Sequence, residues 1–140
     1  MEKIFFDLDV VDGYPPVAVE SLWGEKVDDH KYRIKNLPFY IRDIALNDIV
    51  LVELVNDNLK FKELLSESGH GVINVILFDS DFKDEVIKNL KSMRLYWESI
   101  QGENYYSIDI PNVLIFNKII KFLKNSSNFL DYQETVIPSK

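Results

Sequence analysis

His70 is the residue in this chain best placed for chemistry. It lies between two glycines in Ser68-Gly69-His70-Gly71. Imidazole changes charge near neutral pH and can take a proton from a reacting group. Glu63 and Glu67 precede it closely enough in sequence to orient it. The simpler reading is a structural turn whose imidazole bonds to backbone. His30, the other histidine, sits in the charged turn Asp28-Asp29-His30 and reads as exposed and without a role. Asp7, Asp9 and Asp12 have the spacing of oxygen ligands for a hard cation, and Asp7 and Asp9 would share one face of an alternating strand. A calcium loop needs more ligands and a glycine in a fixed frame, and neither is present. A solvated strand face accounts for the three acids, so no metal site is expected.

The absence of cysteine removes disulfides, thiolate zinc sites and cysteine nucleophiles. Ser21 lacks the glycines of a nucleophile elbow. There is no phosphate-cradling glycine loop and no H-E-x-x-H helix. No cofactor is therefore expected. Asp79-Ser80-Asp81 reads as a helix N-cap.

Charge separates the halves of the chain. Residues 1–70 hold 14 acids and 8 bases, and residues 71–140 hold 9 acids and 8 bases. Residues 1–30 alone carry 8 acids against 2 bases. With a net charge of −7, nucleic acid is a poor partner, because phosphate binding needs a basic surface. A basic protein would be steered toward such a surface. The candidate partner-binding residues are Asp7, Asp9, Asp12, Glu20, Glu25, Asp28 and Asp29. The simpler account of the acidity is solubility. The first residues do not read as a signal peptide, and no apolar run approaches the roughly 20 residues of a membrane span. A cytoplasmic protein is expected, with no membrane contact.

The elements that must position these residues follow from periodicity. Ile4–Val10, Val17–Trp23, Tyr32–Ile34 closed by Asn36–Tyr40, Ile49–Val55 and Leu59–Leu65 read as five strands. Gly24–Lys31 between them is polar and turn-rich, and Asn56-Asp57-Asn58 is a tight turn. Such short strands predict a small β-barrel or curled antiparallel sheet. The small polar run Ser66–Gly71 is the clearest internal break. Beyond it come a strand over Val72–Phe78, a helix with Phe82, Val86, Leu90 and Met93 on one face, and strands over Leu95–Ile100 and Tyr105–Ile110. A helix from Pro111-Asn112 carries Ile115, Phe116, Ile119, Ile120 and Leu123, and a strand over Leu130–Val136 follows. This is a ferredoxin-like βαββαβ pattern. The expected fold is thus α+β, with a β-rich acidic half over 1–68, a junction at 69–71, the βαββαβ half over 72–137 and a frayed tail at 138–140. Tyr96, Trp97, Tyr105 and Tyr106 fall on the predicted hairpin. They lack the basic framing of an RNA-stacking face and read as core or as a protein-binding patch.

Four motifs stand in order: Glu20-Ser21-Leu22-Trp23, then Asn36-Leu37-Pro38-Phe39, then Asn47-Asp48-Ile49-Val50, then Ser68-Gly69-His70. They resemble a bacterial family known only as a domain of unknown function, whose members carry E-S-L-W, N-x-P-F, G-D-x-V and S-G-H. Here Asn47 stands where the family has glycine. The resemblance spans Val17 to Ile110 and implies importance for Glu20, Trp23, Asn36, Pro38, Phe39, Asp48, Gly69 and His70. It also implies a link to bacterial toxin–immunity loci.

The leading expectation is a non-enzymatic immunity protein that caps a cationic toxin domain. The alternatives are a small-molecule-sensing module and an enzyme using His70 with a carboxylate. Nothing in the sequence sets the oligomeric state.

Overall fold

A computed structural model describes residues 1–140, which divide into two compact units, Met1–Ser68 and Gly69–Lys140. The first is a closed five-stranded barrel. Its strands are β1 (Glu2–Asp7), β2 (Val19–Asp28), β3 (Lys31–Ile34), β4 (Ile49–Val55) and β5 (Asn58–Ser66). Neighbours pair antiparallel in chain order. Parallel pairing of Ile4 and Phe5 with Leu59 and Lys60 closes the ring and leaves no open edge. Alternation puts Ile4, Phe6, Leu22, Ile34, Val50 and Val52 inside, where they form the core.

Two barrel segments differ from the sequence reading. The polar run after Trp23 is strand rather than turn, and only Asp29 and His30 remain at the bend. Its side chains from Glu25 to Asp28 are all exposed. Gly24 takes an inner position, where an added Cβ would meet Ile4 Cδ1 at 2.5 Å and Tyr32 Cβ at 3.2 Å. Asn36–Tyr40 does not extend β3. The whole of 35–48 is irregular, yet Leu37, Ile41, Ile44 and Ala45 are buried. Ile41 and Ile44 belong to the barrel core itself.

The second unit holds β6 (Gly71–Leu77), α1 (Lys83–Ser92), β7 (Trp97–Ile100), β8 (Tyr105–Ile110), α2 (Val113–Asn125) and β9 (Leu130–Val136). The sheet order is β7-β8-β6-β9, with every neighbouring pair antiparallel. That interleaving is the split βαβ arrangement, and the chain as a whole is the α+β fold expected. Asn112 caps α2 by accepting from Ile115 N at 2.9 Å. Asp79 caps a single 3₁₀ turn ahead of α1. Arg94, at φ 56°, ends α1, and Leu95 N returns to Leu90 O at 3.0 Å. The following strand therefore starts at Trp97 rather than Leu95.

Both helices pack on one sheet face. Val86, Leu90, Ile119, Ile120 and Leu123 meet Ile73, Val75, Tyr106, Ile108 and Ile110 there, with Trp97 packed against them. The other face carries Asn74, Ser107 and Asp109, all buried. Of the four hairpin aromatics, Trp97 and Tyr106 are thus core residues, Tyr105 is buried and Tyr96 is exposed. The tail is not frayed. Ser139 N donates to Gly69 O at 3.0 Å, and Val113 N donates to Lys140 O at 2.7 Å. Gly71 admits this crossing, since a Cβ there would lie 2.6 Å from Val136 O and from Pro138 Cδ. No helix of the structure is long and apolar enough to cross a membrane.

Candidate functional site

The four motifs meet in pairs. Glu20 has the same strand parity as the buried Leu22 and Gly24 on β2, and its carboxylate is half-buried against the 39–41 segment. It accepts from three successive backbone N–H groups, Phe39 at 2.7 Å, Tyr40 at 3.0 Å and Ile41 at 2.8 Å. Asn36 answers in the opposite direction, its Oδ1 accepting from Trp23 N at 2.8 Å. E-S-L-W and N-x-P-F are thereby two sides of one clasp. Proline at 38 donates no backbone hydrogen bond, so this stretch cannot join a ladder, and side chains must satisfy its backbone.

Asp48 makes the second clasp. It is 2 % exposed, and its two oxygens accept from Ala45 N at 2.9 Å and Ser68 N at 2.8 Å. Ser68 Oγ donates to Leu46 O at 2.7 Å. Asn47 has φ 69°, the left-handed region where asparagine replaces glycine at least cost. Asparagine at this position therefore keeps the turn.

His70 does have a carboxylate partner, though neither Glu63 nor Glu67. Its Nδ1 lies 2.7 Å from Asp109 Oδ1, across the β6–β8 ladder. Asp109 is 6 % exposed. Burial pushes its carboxyl above the ordinary value, while the bond to His70 and its charge pull the other way. With Asp109 ionised, the imidazole donates from Nδ1, and Nε2 is the basic nitrogen of the neutral ring. Beside them Tyr96 Oη donates to Glu98 at 2.7 Å. Desolvation, this bond and the Glu98 and Asp109 charges all push the Tyr96 phenol up. Asp109 was not among the residues the sequence singled out. Its signal is weak but present: in Tyr105–Ile110 the alternation puts Tyr105, Ser107 and Asp109 on the face opposite the apolar one.

The proposed partner-binding acids separate into two kinds. Glu20 is spent on backbone and does not belong to the exposed set, because half-buried carboxylates need donors. Asp7 ends β1 and pairs with Lys60 at 2.9 Å. Asp9 and Asp12 lie beyond that strand, exposed on either side of Val10 and Val11. Glu25 faces Arg33 at 3.4 Å and Asp29 faces Lys26 at 3.6 Å, both at exposed sites. Asp28 accepts from Asp29 N at 2.8 Å. His30 is exposed in the β2–β3 turn. No group of three His, Cys, Asp or Glu side chains is placed to hold a metal ion.

Two outcomes follow. Glu20→Ala leaves three N–H groups without their acceptor and should cost roughly 3 kcal/mol in urea unfolding, at the scale of charge-assisted bonds. Asp109→Asn keeps an acceptor for Nδ1 while removing the titration. An acid with a raised folded pKa binds its proton more tightly folded than unfolded, so its contribution to stability is lost as pH rises above the ordinary 3.8. The stability difference between Asp109→Asn and wild type should therefore move in the variant's favour as pH rises above 3.8. A difference that stays flat as pH rises through and above that value contradicts the desolvated acid.

The comparisons agree with this geometry. No curated protein matches the chain. A crystal structure described as that of a hypothetical protein from Neisseria gonorrhoeae is similar at 25% sequence identity and a TM-score of 0.85, over 99% of this chain and 96% of that one. The family model described as a domain of unknown function, DUF4265, matches residues 20–130, from the clasp glutamate to the start of β9. With most of its length matched, the chain belongs to the DUF4265 family of domains of unknown function.

Proposed function

We propose that the protein is a non-enzymatic protein-binding module, an immunity protein that neutralises a cationic bacterial toxin domain. The observation that carries this reading is where the negative charge lies. The barrel unit holds 14 acids against 8 bases, and no Lys, Arg or His occurs from Ile4 to Glu25. Asp7, Asp9, Asp12, Glu25, Asp28 and Asp29 are all exposed. Surface charge of one sign speeds encounter with an oppositely charged partner and selects against others.

The test is titration calorimetry against the purified product of the neighbouring gene, with co-expression in cells. The reading expects a complex, protection from toxicity, and a Kd that rises by about tenfold or more as salt approaches about 1 M, where the screening length is about 3 Å. Neither complex nor protection would contradict it.

One observation favours a second reading, an enzyme in which His70 is the base. A buried carboxylate on Nδ1 is how an imidazole is held in the tautomer with a basic Nε2. That reading expects hydrolysis of at least one simple acyl or phosphoryl ester, abolished in a folded His70→Ala variant. No turnover by the wild type counts against it.

A further inference from the structure

The connection between β1 and β2, residues 8–18, is not a slack loop. Val11 N donates to Tyr14 O at 2.9 Å and Tyr14 N donates to Val11 O at 3.1 Å. Between them Asp12 has φ 54° and Gly13 φ 78°. Two successive left-handed residues inside a reciprocal pair make the tight two-residue turn that matches strand twist. Leu8 N donates to Ala18 O at 2.8 Å, which carries the pairing back toward the barrel. The ring of Tyr14 meets that of Tyr40 edge to face, at 6.2 Å between centroids. Tyr40 is one of the three residues whose N–H groups Glu20 holds. The tip is thus a preformed hairpin set against a clasped segment.

Its side chains are in the wrong place for a free surface. Val11 is 67 % and Tyr14 56 % exposed, and Val10, Val17 and Val19 are exposed with them. The tip's charged residues are Asp9 and Asp12, both acids, while Asp7 at the end of β1 is paired with Lys60. A run of exposed apolar groups rimmed by charge of one sign marks a contact surface.

We infer that this hairpin tip is the anchor by which the barrel holds its basic protein partner, with Val11 and Tyr14 seated in an apolar recess of that partner. The inference rests on the protein-binding reading and names its surface. Charge selects the occupant. A lipid surface carries negative charge and repels the tip's two carboxylates. A second copy brings its own net −7. A basic protein surface satisfies both the acids and the apolar groups. Rigidity adds to affinity, because the tip loses little conformational freedom on binding, and exposed tyrosines of this kind dominate interfaces energetically.

The experiment titrates the purified product of the neighbouring gene with wild type, with Val11→Ser/Tyr14→Ser, and with Tyr14→Phe. Proton–nitrogen correlation spectra check that changes in the double variant stay within the tip and its contacts. Tyr14→Phe provides a variant that keeps the ring. The expected result is a Kd raised about hundredfold in the double variant and nearly unchanged in Tyr14→Phe. Wild-type binding that the double variant retains within about threefold overturns the anchor and leaves the protein-binding reading standing. Absence of wild-type binding contradicts both. Self-association of the wild type that the double variant loses makes a second copy the occupant and overturns the inference.

Discussion

Three backbone N–H groups in a row, at Phe39, Tyr40 and Ile41, end on the carboxylate of Glu20. The barrel depends on this contact because its core is incomplete without Ile41 and Ile44, and these lie in a segment with no strand or helix of its own. Buried backbone away from a ladder has to find acceptors elsewhere. Glu20, Asn36, Asp48 and Ser68 supply bonds from both ends of that segment. The four sequence motifs are thus chiefly a bracing system. Their spacing along the sequence is the spacing of the segments they tie.

This changes what the acidic composition means. Carboxylates at 48 and 109 are buried and that at 20 is half-buried, each with a specific donor. Those at 7, 9, 12, 25, 28 and 29 face solvent. Exposed pairs such as Asp7–Lys60 contribute little to stability. The outer set is therefore free to serve recognition at small cost to the fold. The inner set should not be counted as a binding surface, however acidic the sequence looks. His70 belongs to the inner account as well. Its flanking glycines have a structural reason: Gly69 has φ 91° with Lys140 close against it, and Val136 and Pro138 crowd Gly71.

Much of the architecture was legible. Alternation and β-branched runs located β4, β5, β8 and β9 closely. Helical periodicity gave the buried sides of α1 and α2. What escaped were contacts that no periodicity records. Glu20 is about 20 residues from its donors, and Asp109 is 39 residues from His70. Asn36–Tyr40 defeated the strand reading because the Phe39 and Tyr40 amides bond to the Glu20 carboxylate instead of to a ladder. The tail looked frayed because three terminal residues carry no pattern, although tertiary hydrogen bonds fix them.

Hydrogen exchange at the amides of Phe39, Tyr40 and Ile41 measures the clasp directly. The account predicts protection close to that of the barrel strands in the wild type, and a selective loss at these three amides in Glu20→Gln. Exchange at the rate of an exposed loop in the wild type would contradict it.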